Sequence, residues 1–421
     1  MPLHTRILLG LLLGGIAGIA ANLAFAGDPT LEWIVRSIAS PAGSVWLSAL
    51  IMVVIPLIVS TVSLGVAGLG SITRLGRIGA LALGSFLALS TIAAAVGLTL
   101  VHLIRPGAGL DPDLRTALME TYAGQSGPAM GLATTGFGIE TFVRMVPRNP
   151  IQAAANGEML AVIVFALFLG AALTRLPEEK ARPLLAVLDS LAHVTIAIIE
   201  MVMRLAPYAV ACLIFSVTAS FGLGLLASLA KYVVTVIGGL AVFMAVVYPL
   251  VLALVAGQSP AAFFRHARVV ILTAFSTSSS NATLPTTLRV TEQELKVPNE
   301  IAGFVVPLGA TMNMNGTALF EGVTVLFVAQ VFGVQLAIGQ QLLVVVMSVI
   351  TAIGTAGVPG GSIPLLMMVL GMVGVPMEGI AIVLGVDRLL DMCRTTVNVA
   401  GDMVTATVVQ RFSGVRRGTI L

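Results

Sequence analysis

Apolar stretches recur along the first 256 residues, separated by short polar connections. A crossing helix needs about 20 predominantly apolar residues. Segments 7–26, 46–69, 80–104, 159–173, 192–220 and 226–256 read as such helices, the fourth of them short. The opening residues, Met1 to Arg6 followed by an apolar run ending Ala24-Phe25-Ala26, imitate a secretory signal with a small-residue cleavage site. The apolar length of about 20 residues exceeds a signal core, which favours a retained first helix. Residues 105–149, punctuated by Gly and Pro and carrying both signs of charge, read as an extramembrane loop.

Beyond Gln258 the apolar runs are broken at mid-length by polar or glycine-rich clusters. These are Ser276-Thr277-Ser278-Ser279-Ser280-Asn281, then Asn313-Met314-Asn315-Gly316-Thr317, then Gly354-Thr355-Ala356-Gly357-Val358-Pro359-Gly360-Gly361-Ser362. Backbone that is not helical survives at membrane depth only where protein or a water-filled cavity satisfies its amides and carbonyls, so the clusters predict a site. The first and third each lie between two apolar arms of about ten to sixteen residues, too short to cross singly. They predict two re-entrant helical hairpins with tips near the midplane. The competing reading is a set of ordinary crossing helices kinked at Gly and Pro.

The last apolar helix, 378–409, carries Asp387, Asp391, Arg394, Asn398 and Asp402. At about 100° per residue all five fall within a sector of about 80°, a single polar stripe. Arg388 lies off its edge. Charges inside a bilayer are costly and normally face a bundle interior or a cavity. The bland alternative is a self-neutralising ladder of Asp391 with Arg394. Against it, three carboxylates facing one arginine leave surplus negative charge. Surplus carboxylates beside unwound backbone suit a cation, and an arginine among them offers a planar fork matched to a ligand's carboxylate. The run Ser278 to Ser280 and the third cluster add hydroxyls, backbone N–H groups and helix N-termini suited to an anionic ligand. By itself a serine run is usually a polar turn.

Composition moves most of the chain into lipid. It is 57% hydrophobic and 10% charged, with a mean hydropathy of +1.05, whereas soluble domains carry about a quarter charged residues. The net charge of +3 gives no reason to expect nucleic acid. Position matters more than the total. With eight full crossings and two hairpins that return to their own side, both termini share a side. Arg6, Arg74, Arg77, Arg175, Lys180, Arg182, Arg265, Arg268, Arg289, Lys296, Arg411, Arg416 and Arg417 fall there, against Arg36 and Lys231 in the opposite short loops, while Arg105, Arg115, Arg144 and Arg148 sit in the long outer loop, which the rule does not weigh. Basic short loops favour the cytoplasm, so both termini are expected there, in the cell membrane. Cys212 and Cys393 lie in apolar stretches, which suits packed thiols better than a disulfide framework.

At the polar clusters the chain resembles the glutamate transporter family, the dicarboxylate/amino acid:cation symporters. The likeness is densest in Ser276 to Pro285, in Pro307 to Thr317, in the tip from Gly354 to Pro359, and in Asp391-Met392-Cys393-Arg394-Thr395-Thr396-Val397-Asn398 with Gly401-Asp402. The resemblance implies an all-α membrane protein of eight transmembrane helices and two re-entrant hairpins, an elevator-type transporter assembled as a homotrimer. In that layout, residues 1–77 hold scaffold helices one and two, and 78–110 hold helix three of the transport domain. Residues 111–222 hold the outer loop with scaffold helices four and five, and 223–421 hold the rest of the transport domain. The family's substrate roles fall on Asp391 for an ammonium, and on Arg394 with Thr317 for a side-chain carboxylate. Asn398, Thr395 and Ser278, Ser279 and Ser280 take the α-carboxylate and amino region, with the tip at Gly357 and Val358 closing over the solute. Its sodium sites fall on Asp402 with carbonyls of Gly309, Asn313 and Asn398, and on carbonyls of Thr311, Ala352, Ile353 and Thr355.

One departure stands out. The family's middle motif usually reads Asn-Met-Asp-Gly-Thr, and position 315 here is Asn. An amide lacks the carboxylate's charge, which puts one sodium site in doubt. Glu321, one turn past Thr317, matches the family's proton-carrying glutamate; its alternative is a structural pairing with a neighbouring helix. The expectation is a symporter of aspartate or glutamate coupled to Na+, H+ or both, without a covalent cofactor. A C4-dicarboxylate or neutral amino acid symporter and a channel remain as rivals. An intramembrane enzyme fits less well, because His4, His102, His193 and His266 are scattered and no His-Glu-x-x-His motif occurs.

Overall fold

The computed structural model describes residues 3–25, 27–74, 76–110, 146–156, 158–221, 223–355, 357 and 360–413. Most of the expected outer loop and the tip residue Val358 lie outside the described residues. Among the described residues every regular element is helical. Six segments are long and apolar enough to cross a membrane by length and composition, and four shorter apolar helices accompany them. The chain is an all-α, multi-pass membrane protein, the architecture that satisfies each backbone group within its own segment where no water reaches it.

The elements that matter here are α1 (Leu3–Phe25), α2 (Ser40–Ile51), α3 (Val54–Arg74), α4 (Arg77–Ile104), α5 (Met159–Leu173), α6 (Glu178–Met203), α7 (Ala206–Phe221) and α8 (Leu223–Val242). Two expected spans need correction. Segment 46–69 is not one helix but parts of α2 and α3, interrupted at Met52 and Val53. Pro56 has no N–H for the carbonyl of Met52 and its ring crowds that carbonyl, so the ladder restarts with the Leu57 N–H donating to Val53 O at 3.1 Å. Segment 192–220 is likewise divided between α6, which begins earlier at Glu178, and α7. Pro207 removes the donor for Met203 in the same way. The helix begun by α8 continues to Ala256 through two π-helical segments, Phe243–Val247 and Val251–Ala256, on either side of Pro249.

The polar clusters break helices as expected. α9 (Pro260–Thr277) and α10 (Ser280–Gln293) pack together as a hairpin, and α13 (Ile338–Gly354) and α14 (Ile363–Met372) form a second. Between them, α11 (Asn299–Met312) and α12 (Asn315–Phe332) are one span interrupted at Asn313 and Met314. α15 (Ala381–Ser413) closes the fold. α12 is buried on nearly every side, with α4, α13 and α15 around it, which is why it shows no apolar stripe.

α3 packs on α5 and α6, α1 and α2 pack on α7, and α4, α11, α12 and the first hairpin gather around α15, against which α1 and α7 also pack. The α1–α7 seam is built on Gly10, Gly14 and Gly18, one per turn. A Cβ at these positions would lie 2.2 Å from Pro207 O, 2.3 Å from Ala211 O and 1.9 Å from Thr218 Oγ1. Small residues at such spacing let two backbones approach and gain dispersion contacts that lipid cannot offer.

Candidate binding site

The two hairpin tips touch. α9 ends on Ser278 in a left-handed conformation, φ 51°, which turns the chain back at once. Such a φ is uncommon outside glycine and points to a constrained site. Ser279 then caps α10, its Oγ accepting from the Ala282 N–H at 3.2 Å while its hydroxyl donates to Gly357 O at 2.7 Å. The Asn281 N–H donates to the same carbonyl at 3.3 Å.

The stripe on α15 faces these tips. Asp387, Asp391, Arg394, Thr395, Asn398 and Asp402 are all buried. Arg394, 2% exposed, donates from Nε and Nη2 to Asp391 Oδ1 at 3.0 and 2.9 Å, and its Nη1 lies 3.5 Å from Asp387 Oδ1. Its guanidinium stacks over the Phe320 ring, 4.3 Å from the centroid, which compensates part of its lost hydration. Arg388 corrects the expected charge surplus. Its Nη1 reaches Asp391 Oδ2 at 3.5 Å, because residues three apart on a helix are neighbours and a guanidinium on a long stem spans the angular gap. Asp387 and Asp391 thus stand against two arginines, and Asp402 is held elsewhere.

The interruption between α11 and α12 supplies the opposite wall. Asn398 Oδ1 accepts from the N–H groups of Gly316 and Thr317 at 2.7 and 3.3 Å, capping the start of α12 from another helix. Its Nδ2 donates to Thr317 Oγ1 at 3.2 Å. Asp402 Oδ1 accepts from Asn313 Nδ2 at 3.0 Å, and Asn313 Oδ1 beside it is buried with no hydrogen-bond partner among the described residues. Gly309 makes the room, since a Cβ there would sit 2.4 Å from Asp402 Oδ1. Asn315 is engaged as a neutral group. It accepts from the Ser90 hydroxyl at 3.0 Å and donates to the Tyr248 hydroxyl at 3.0 Å, which in turn donates to Val397 O at 2.8 Å.

A cavity of about 240 Å³ lies where these pieces meet, lined by Ser278, Ser280, Met314, Thr317, Thr355, Gly357, Ser362, Asp391, Arg394, Thr395 and Asn398. Ser279 is outside this lining and joins the tips. Thr355 lines it and donates its hydroxyl to Thr351 O at 2.7 Å. Ala352 is buried and Ile353 half-buried near the end of α13, whose packing against α11 brings it to the helix of Thr311. Thr311 itself is exposed, its hydroxyl turned to Leu308 O. Glu321 is fully buried away from the cavity, with the Thr351 hydroxyl 2.5 Å from its Oε2.

Sequence reasoning passed over Ser90, Tyr248, Thr351 and Phe320. Each is a single polar or aromatic residue in an apolar run, a weak signal without its partner across the bundle. The comparisons with known proteins agree with the motif reading. The family model described as "Sodium:dicarboxylate symporter family" matches residues 3–412. The "Proton/sodium-glutamate symport protein" of Bacillus subtilis (strain 168) is 36% identical over 420 residues, 98% of this chain and 93% of that protein. The "Proton/glutamate-aspartate symporter" of Escherichia coli (strain K12) is 36% identical over 408 residues, 97% and 92% of the two chains. The "C4-dicarboxylate transport protein" of Anaeromyxobacter sp. (strain K) is 32% identical over 414 residues, 98% and 90%. With a family match spanning nearly its whole length, over the same polar clusters that build the cavity, the chain belongs to the sodium:dicarboxylate symporter family.

Proposed function

We propose that the chain is a secondary-active symporter of acidic amino acids, aspartate or glutamate, driven by Na+, H+ or both. The observation that carries this reading is the 240 Å³ cavity, which gathers an arginine, a carboxylate, hydroxyls and an unwound helix start around one small volume. Arg394 and Thr317 take the ligand's side-chain carboxylate and Asp391 its ammonium. Thr395, Asn398 and the Ser278 to Ser280 tip take the α-carboxylate region. The names of the glutamate and glutamate-aspartate relatives favour the same ligands.

Coupling ions have candidate places. The Asp402 carboxylate beside the unpartnered Asn313 Oδ1 is a hard-oxygen set suited to Na+, completed by carbonyls of Gly309 and Asn398. Thr311, Ala352, Ile353 and Thr355 supply the second set of carbonyls. Asn315, neutral and bonded through both its oxygen and its nitrogen, offers no charge to a further cation. Glu321 is the proton carrier. The Thr351 hydroxyl has one hydrogen and three acceptors in reach, Met347 O at 2.7 Å, Ser348 O at 3.3 Å and Glu321 Oε2 at 2.5 Å. A backbone carbonyl and Glu321 are satisfied together when Glu321 carries a proton and donates it to Thr351.

In the elevator reading, the first, second, fourth and fifth crossings form the scaffold and the remainder the moving transport domain. Eight crossings, two re-entrant hairpins, a homotrimer and cytoplasmic termini in the cell membrane complete the reading.

Uptake of aspartate into proteoliposomes tests it. Accumulation is expected to be saturable, exchangeable and driven by an inward Na+ or H+ gradient; gradient-independent, non-saturating flux would mark a channel. Uptake is expected to rise as external pH falls from about 8 to about 6, since the loaded carrier needs the proton. Glu321→Gln should flatten that dependence and keep exchange. A wild type already flat across this range returns Glu321 to a structural role.

A further inference from the structure

Asp391 is held by two cations from opposite sides. Its Oδ1 accepts from Arg394, while its Oδ2 lies 3.5 Å from Arg388 Nη1 and 3.4 Å from the Gly360 N–H. The Arg388 side chain is 11% exposed, and its Nε is buried without a hydrogen-bond partner among the described residues. Arg388 does not line the ligand cavity. It lines a second cavity of about 300 Å³, walled by Ile7, Trp46 and Met203 and shared with Asp387, Asp391 and Gly360. Asp391 borders both cavities.

This arrangement bears on which acids the site takes. A ligand carboxylate shares Arg394 with Asp391, since only Nη1 of the guanidinium is without a hydrogen-bond partner among the described residues, and so weakens the pairing of Asp391. A carboxylate left underpaired in a dry site is unfavourable, unless the ligand brings an ammonium to make up the lost pairing. With Arg388 in place Asp391 keeps a counter-ion throughout, and the ammonium becomes dispensable. Formal charge gives the same direction. Asp387 and Asp391 balance Arg388 and Arg394, so an amino acid with two carboxylates leaves one surplus negative charge and an amine-free dicarboxylate leaves two. Each surplus grows by one without Arg388, and the penalty is steeper for the dianion.

Building on the acidic-substrate reading of the cavity, we propose that Arg388 is a positioning residue that acts through Asp391 as its standing counter-ion and so admits dicarboxylates lacking an amine. Competition binding of L-aspartate and succinate to the full-length protein tests this with the wild type, Arg388→Gln and Arg388→Lys. In Arg388→Gln, succinate is expected to weaken at least tenfold more than aspartate, and Arg388→Lys should recover most of the lost ratio. Arg388→Met, apolar against Trp46 and Met203, serves for the same ratio if Arg388→Gln does not fold. Equal weakening of both ligands, or a wild type that binds aspartate and refuses succinate, overturns the proposal alone. A wild type that binds neither overturns the substrate reading and the proposal together.

Discussion

Glycine brings elements into close contact in two parts of this molecule, with opposite results. At the α1–α7 seam, Gly10 and Gly14 abut the backbone of the facing helix and Gly18 abuts its backbone and a threonine hydroxyl. Around the cavity the space vacated by glycine is filled by chemistry: Gly309 admits the Asp402 carboxylate, and Gly401 admits the Tyr248 hydroxyl and the Asn315 amide. The first arrangement yields a fixed van der Waals seam. The second yields a polar network that keeps orphan atoms such as Asn313 Oδ1 and Arg394 Nη1. Dry, saturated packing makes structure, and tight packing with unspent hydrogen-bonding capacity makes a site.

Substitutions at the two places should separate these roles. The largest effect is expected at the network's centre. Arg394→Ala should weaken binding of acidic amino acids by about 2 to 5 kcal/mol, because it leaves a ligand carboxylate unpaired in a buried site. Titration calorimetry reads this, and an unchanged affinity would remove Arg394 from the ligand contacts. Next comes the seam. Gly14→Ala places a Cβ 2.3 Å from Ala211 O, a backbone atom with nowhere to retreat, and should cost about 1 to 3 kcal/mol of stability. Its thermal midpoint should fall while ligand affinity holds. Gly309→Ala should do the reverse, since its Cβ meets a side-chain carboxylate that can shift. Stability should change little, and the Na+ stimulation of affinity over choline should drop about tenfold, or about 1.4 kcal/mol. If both glycine variants alter stability and affinity alike, the contrast between seam and site fails. Smallest is Tyr248→Phe, which strips the acceptor from the Asn315 amide; about 1 kcal/mol of stability should be lost with affinity unchanged.

Much of the site could be read from the chain because its signals were periodic or local. Asp387, Asp391, Arg394, Asn398 and Asp402 repeat at helical spacing, and the hairpin tips announce themselves as serine or Gly-Pro clusters inside apolar runs. The helix breaks at Met52 and Arg204 escaped because Pro56 and Pro207 sit in runs apolar enough on average to read as single crossings, even with Glu200 and Arg204 in the second. Arg388 escaped for a geometric reason: sector angles follow the Cβ, whereas a guanidinium on a long stem reaches across them. The links from Ser90 and Tyr248 to Asn315 join residues far apart in sequence, and no local pattern reports them. The repeat of Gly10, Gly14 and Gly18 was readable as small residues at every fourth position; only its partner, α7, needed the fold.

The meeting of the hairpin tips has a consequence for how often the cavity opens. Ser279 Oγ and the Asn281 N–H both donate to Gly357 O. Two such bonds contribute about 1 kcal/mol each. If they alone hold the tips, the separated state lies about 2 kcal/mol above the joined one, and roughly one molecule in thirty occupies it at any instant. Under the proposed reading, in which the tips close over the solute, a minority of that size would supply an entrance without leaving the path open to free leakage.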